Sequence, residues 1–140
     1  MEVYPAHHPA QRGFTLVEMT VVILVLISMI TAGFYGTNAY RSWSLAREAS
    51  ENLRTAYVAQ RTYLADNPTT PVSTLTQQLL LPYVPGNPGS FPSGKSLNGA
   101  ALTVRVNVSP PFMTTSAGGT TGDRYDPSAN TSDALWDVGE

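Results

Sequence analysis

Along this chain the spacing of apolar and polar positions changes twice. Residues 1–13 (MEVYPAHHPAQRG) are short, polar and proline-containing. From Met19 to Tyr40, 22 consecutive residues carry no charge, and the centre of the run, VVILVLISMI, is almost wholly aliphatic. About 20 apolar residues in a helix cross a hydrocarbon layer of roughly 30 Å, so this run predicts one membrane crossing within residues 14–40. A soluble helix buried on every side is the competing reading, but the rest of the chain is too short to wrap it. Past Tyr40 the pattern becomes amphipathic. Trp43, Ala46, Ala49, Leu53, Ala56 or Tyr57, Gln60 and Leu64 recur at steps of three and four. Arg41, Arg47, Glu48, Glu51, Arg54 and Arg61 fall mostly between them. Residues 41–67 are therefore expected to continue the helix with one packed face and one wet face.

Proline marks where the helix ends. Residues 14–66 contain none, whereas nine of the 11 prolines lie beyond residue 67. Asp66-Asn67-Pro68 is a stop, because the residue before a proline avoids the α region. A continuous helix over 14–66 holds 53 residues, or roughly 80 Å at the usual rise. Gly33 and Gly36 lie inside it and predict either a bend or close packing against another helix. Residues 68–140 are expected to form a small, loop-rich β unit. Ser73 to Leu81 predicts a two-turn helix capped by Ser73 and stopped at Pro82. Residues 83–99 form a Gly/Pro/Ser loop, and Leu102 to Val108 alternates as a half-buried strand. Shorter strands are expected over Pro111 to Thr115 and around Leu135 to Val138, separated by a long loop. The fold class is α+β: one long N-terminal helix carrying a small antiparallel sheet.

Composition narrows the chemistry. Charged residues make up 13% of the chain and the net charge is −2, with no basic patch of the kind that binds nucleic acid. The absence of cysteine excludes disulfides, thiolate zinc sites and a cysteine nucleophile. The two histidines, His7 and His8, both lie in the first 13 residues. No Ser/His/Asp set, phosphate-binding glycine loop or catalytic carboxylate pair can be assembled from the remainder, so an enzyme is not expected. Asp123, Asp126, Ser128, Asn130 and Asp133 gather oxygen ligands that would suit calcium. The same residue types also build ordinary solvated turns.

The costly residue is Glu18, a carboxylate at the start of the apolar stretch, where such groups usually mark function. A secretory signal peptide cut near Thr31-Ala32-Gly33 would have a shorter apolar core. A plain uncleaved anchor accounts for the span but not for the Glu. The stretch Arg12-Gly13-Phe14-Thr15-Leu16-Val17-Glu18 resembles the class III signal of type IV pilins and type II secretion pseudopilins, including the spacing that places Glu fifth in the mature chain. The resemblance implies that a prepilin peptidase cuts between Gly13 and Phe14, removes leader 1–13 and N-methylates Phe14. Glu18 of one subunit would then meet the Phe14 ammonium of its neighbour in a filament of parallel helices, although pairing within one subunit is equally open. Two departures are the absence of a proline in the middle of the apolar run and the absence of a C-terminal cysteine pair. They lean toward a pseudopilin or a minor subunit.

The resemblance further implies a pilin-like fold over the mature chain. It implies a single-pass inner-membrane protein with its C-terminal domain (68–140) in the periplasm, which later enters an envelope filament. Implied partners are the lipid bilayer, other pilin-like subunits, the prepilin peptidase and an inner-membrane platform protein. The family also adds weight to calcium in the C-terminal loop. The alternative function is a membrane-anchored periplasmic binding module that never polymerises.

Overall fold

The computed structural model describes residues 13–130 and 133–138. Residues 1–12 of the expected leader, with His7, His8 and Arg12, lie outside this range. In chain order the elements are α1 (Leu16–Asp66), a 3-10 turn (Val72–Thr74), α2 (Gln77–Leu80), a second 3-10 turn (Leu81–Tyr83), β1 (Ser93–Lys95), β2 (Ala101–Arg105) and β3 (Phe112–Thr114). The expected long helix is present and runs through Gly33 and Gly36 without a break. It stops where Asn67 turns back: its backbone N–H donates to Tyr63 O at 2.9 Å and its side chain to the same oxygen at 3.0 Å. Pro68 follows and cannot continue the ladder. The chain forms two compact units, the first ending at Asn38 and the second starting at Ala39.

In the first unit every described side chain is exposed, including Leu24, Ile27 and Ile30. The helix's most apolar stretch is long and apolar enough to cross a membrane, and none of it is buried among the described residues. Its polar side chains are satisfied locally. Thr20 Oγ1 donates to Val17 O (2.8 Å), Ser28 Oγ to Val25 O (2.7 Å) and Thr31 Oγ1 to Ile27 O (2.8 Å). These bonds let hydroxyls sit in an apolar helix without unmet donors.

In the second unit α1 contributes a stripe of small residues. Ala46, Ala49, Leu53 and Ala56 pack with Leu75, Leu80, Leu102, Val104, Val106, Met113 and Trp136. The sheet is antiparallel with order β1-β2-β3. Gly94 pairs with Leu102, and Val104 with Met113. Alanines on the helix allow the sheet to come close. A Cβ at Gly94 would lie 3.1 Å from Met113 Cε and 3.6 Å from Ala49 Cβ. Strand β1, Ser-Gly-Lys, was expected to be loop because it has no apolar alternation; it pairs because its central residue has no side chain to keep it off the helix.

The structure corrects three other expectations. The helix predicted from Ser73 is shorter and capped later: Thr76 is the N-cap of α2, its hydroxyl accepting from Leu79 N–H at 3.4 Å. Strand pairing in β2 ends at Arg105, before Val108. Residues 135–138 are buried in part but are not a strand. Ala134 and Trp136 have φ of +57° and +62°, a left-handed backbone that no strand continues through. The segment bonds to helix side chains instead, with Ser50 Oγ donating to Ala134 O (2.8 Å) and Arg54 Nε to Val138 O (3.0 Å).

Gln60, like Ser50 a polar residue of the packed face, is fully buried. Its Nε2 donates to Val106 O (2.8 Å) and Val108 O (2.7 Å), tying α1 to the chain beyond β2. Gln60→Leu keeps the volume but strips two carbonyls of their donor. Leaving buried polar groups unmet costs about 1–3 kcal/mol. Chemical denaturation of the purified chain in detergent is expected to show a loss of about 2 kcal/mol; an unchanged midpoint would refute the role assigned to Gln60.

Candidate functional site

The first described residues hold the sequence-predicted site. Gly13, Phe14 and Thr15 precede α1, and Phe14 is 74% exposed. Among the described residues nothing lies within 4 Å of where a Cβ on Gly13 would stand, and its backbone is not left-handed. Local folding therefore places no demand for glycine at this position.

Thr15 has a role that the sequence reading overlooked. Its carbonyl accepts from Met19 N–H at 3.2 Å, the first bond of the helix. Its hydroxyl accepts from Glu18 N–H at 3.2 Å. Thr15 is thus the N-cap of α1, and Glu18 stands at the third helical position. The signal was present in the sequence as Thr-x-x-Glu before an apolar run, the pattern of a capping box. Thr20, by contrast, bonds back to a carbonyl, its hydroxyl donating to Val17 O.

Glu18 is exposed and sits in the first turn of the helix. There a carboxylate faces the free N–H groups and the positive end of the helix dipole, an interaction worth about 0.3–1 kcal/mol. Its side chain is one turn from Phe14, the residue that would carry the new amino terminus after cleavage. The carboxylate is thus exposed in the first unit.

The oxygen-rich loop is held by local hydrogen bonds. Asp126 Oδ1 accepts from Ser128 N–H (3.1 Å) and from Ser128 Oγ (2.6 Å). Asp133 Oδ1 accepts from Leu135 N–H (2.9 Å), and Asp123 and Asn130 are exposed. Among the described residues no three acidic or histidine side chains converge. These are turn-building contacts of the Asx kind. Asp137, which was not singled out, is buried and lies 3.9 Å from the Arg124 guanidinium.

The chain matches no curated protein and no solved structure. An N-terminal helix long and apolar enough to cross a membrane fits anchoring in one. The long N-terminal helix and small three-stranded antiparallel sheet are consistent with a pilin-like α+β fold, and residues 8–34, which contain Gly13, Phe14, Thr15 and Glu18, match the prokaryotic N-terminal methylation motif, so this chain carries the class III prepilin signal of type IV pilin-like proteins.

Proposed function

We propose that this protein is a structural subunit of a helical pilus or pseudopilus filament, belonging to a type II secretion or type IV pilus-like system. A prepilin peptidase removes residues 1–13 and methylates the amino group of Phe14. The observation that carries the reading is the methylation motif at 8–34, which runs into an apolar helix whose side chains are exposed among the described residues of the first unit. Gly13 fits a peptidase site, since the fold makes no use of its missing side chain and a bulky residue there would obstruct approach to the peptide bond.

The subunit waits in the inner membrane with its apolar helix in lipid and its C-terminal domain in the periplasm. An inner-membrane platform protein then passes it into the filament. Assembly exchanges lipid contacts for helix–helix contacts of similar apolarity, so little hydrophobic burial is gained or lost. Specificity must come from polar groups, and the Glu18 carboxylate beside a neighbour's Phe14 ammonium supplies one. Intact-mass analysis of the membrane-extracted protein is expected to find a chain beginning at N-methylated Phe14, and the 13-residue-longer form in cells lacking the peptidase. A full-length, unmethylated chain in cells with an active peptidase would refute the reading, and would favour a membrane-anchored module that does not polymerise.

A further inference from the structure

Trp43 was expected on the packed face of α1, at helical spacing from Ala46 and Ala49. It is instead 53% exposed, and Tyr40 beside it is 67% exposed. The two rings lie 6.3 Å apart, and the Arg47 guanidinium lies 6.0 Å from the Trp43 ring. Trp43 also forms one wall of an apolar cleft of about 300 Å³, with Ala46, Leu97, Pro127, Leu135 and Trp136. Leu97, in the turn between β1 and β2, is itself half-exposed. A patch of this make-up on the second unit calls for a covering phase.

We propose that this patch, Tyr40, Trp43 and the Leu97 lip of the cleft, rests in the headgroup layer of the bilayer and sets how deeply the helix is inserted. The proposal rests on the membrane-anchored reading given above. Three observations select lipid over other occupants. First, the patch begins at Tyr40, the last residue of the uncharged run, so chain connectivity holds it at the outer boundary of the hydrocarbon. Second, Tyr and Trp have apolar rings with a polar edge, the combination that concentrates at membrane–water interfaces. Third, Arg41 and Arg47 are the only charged residues between Met19 and Glu48. They complement lipid phosphates on either side of Trp43. With the patch in lipid, the cleft between α1 and the β1–β2 turn is filled by acyl and glycerol groups instead of water.

The full-length chain is reconstituted into phosphatidylcholine–phosphatidylglycerol vesicles carrying lipids brominated either near the headgroup or near the bilayer centre. Emission from Trp43 is obtained as the difference between the wild type and Trp43→Phe, because Trp136 is buried and common to both. The expected result is roughly twofold stronger quenching of the Trp43 signal by the shallow label than by the deep one. Since the chain has no cysteine, Leu97→Cys accepts a single polarity-sensitive fluorophore, whose emission is expected to shift to the blue when vesicles are added. Co-flotation with vesicles, combined with an unquenched Trp43 or an unshifted label at 97, overturns the proposal and leaves the membrane anchor standing. A Trp43 signal that responds to protein density but to neither brominated lipid identifies a second copy as the occupant, and also overturns it. A chain that does not co-float overturns both readings.

Discussion

Glu18→Ala is expected to leave processing after Gly13 intact and to reduce the subunit's recovery in sheared filaments by more than roughly 100-fold. The size of the effect follows from comparing two contributions of the same carboxylate. Within its own helix Glu18 interacts with the dipole, worth about 0.3–1 kcal/mol. The cap that starts the helix uses the Glu18 backbone N–H on the Thr15 hydroxyl, so it survives the substitution. In an apolar filament core, removing the carboxylate strands the ammonium of a neighbour's Phe14. A buried charge left without its partner costs about 3–5 kcal/mol, and each 1.4 kcal/mol is a factor of about ten. Thr15→Ala is the matching control. It removes the cap for about 1 kcal/mol while keeping the charge, so its incorporation is expected to fall far less. Normal incorporation of Glu18→Ala would sink the intersubunit pairing.

Gly119→Val carries the largest expected loss of stability. Gly119 has φ of +65°, and an added Cβ would run into the backbone oxygen of Val104 and the amide of Gln77. The same stretch is held by Val106 N–H donating to Gly119 O (3.1 Å), and Gln77 Nε2 donates to Val104 O (2.7 Å). Relieving the clash means moving the loop off β2 and giving up those bonds. A left-handed backbone costs a non-glycine residue about 1–2 kcal/mol, overpacking adds about 1–3 kcal/mol, and each lost hydrogen bond adds about 1 kcal/mol. A total above about 3 kcal/mol lowers the melting temperature of a domain this size by on the order of 15 °C. The neighbouring Gly118 has φ of +86° with open space around its Cβ position. Gly118→Ala is therefore expected to cost only the backbone strain. The two variants melting within a few degrees of each other in near-ultraviolet circular dichroism would contradict this account.

The long helix and its end were legible because each rests on a local rule: an uncharged run of membrane length, a periodicity of three to four, and a proline two residues past Asp66. The prepilin signal was legible for the same reason, as seven consecutive residues carry it. Thr15 as a helix cap is likewise local, written in Thr-x-x-Glu before the apolar run. The match of residues 8–34 to the methylation motif thus agrees with what local pattern had already indicated.

Tertiary structure decided what local pattern does not encode. Strand β1 is invisible to alternation because its pairing depends on Gly94 lying against Ala49 and Met113. Residues 135–138 read as a strand by composition, yet the backbone oxygens of Ala134 and Val138 accept from Ser50 and Arg54, more than 80 positions earlier in the chain. The amide of Gln60 found its acceptors 46 and 48 positions further along. Trp43 shows the same limit from the opposite side. Helical spacing put it in line with the buried alanines, but the sheet and C-terminal segment leave it half-exposed at the mouth of a cleft. Periodicity names the face of a helix; how far the rest of the fold extends along that face is set by contacts distant in sequence.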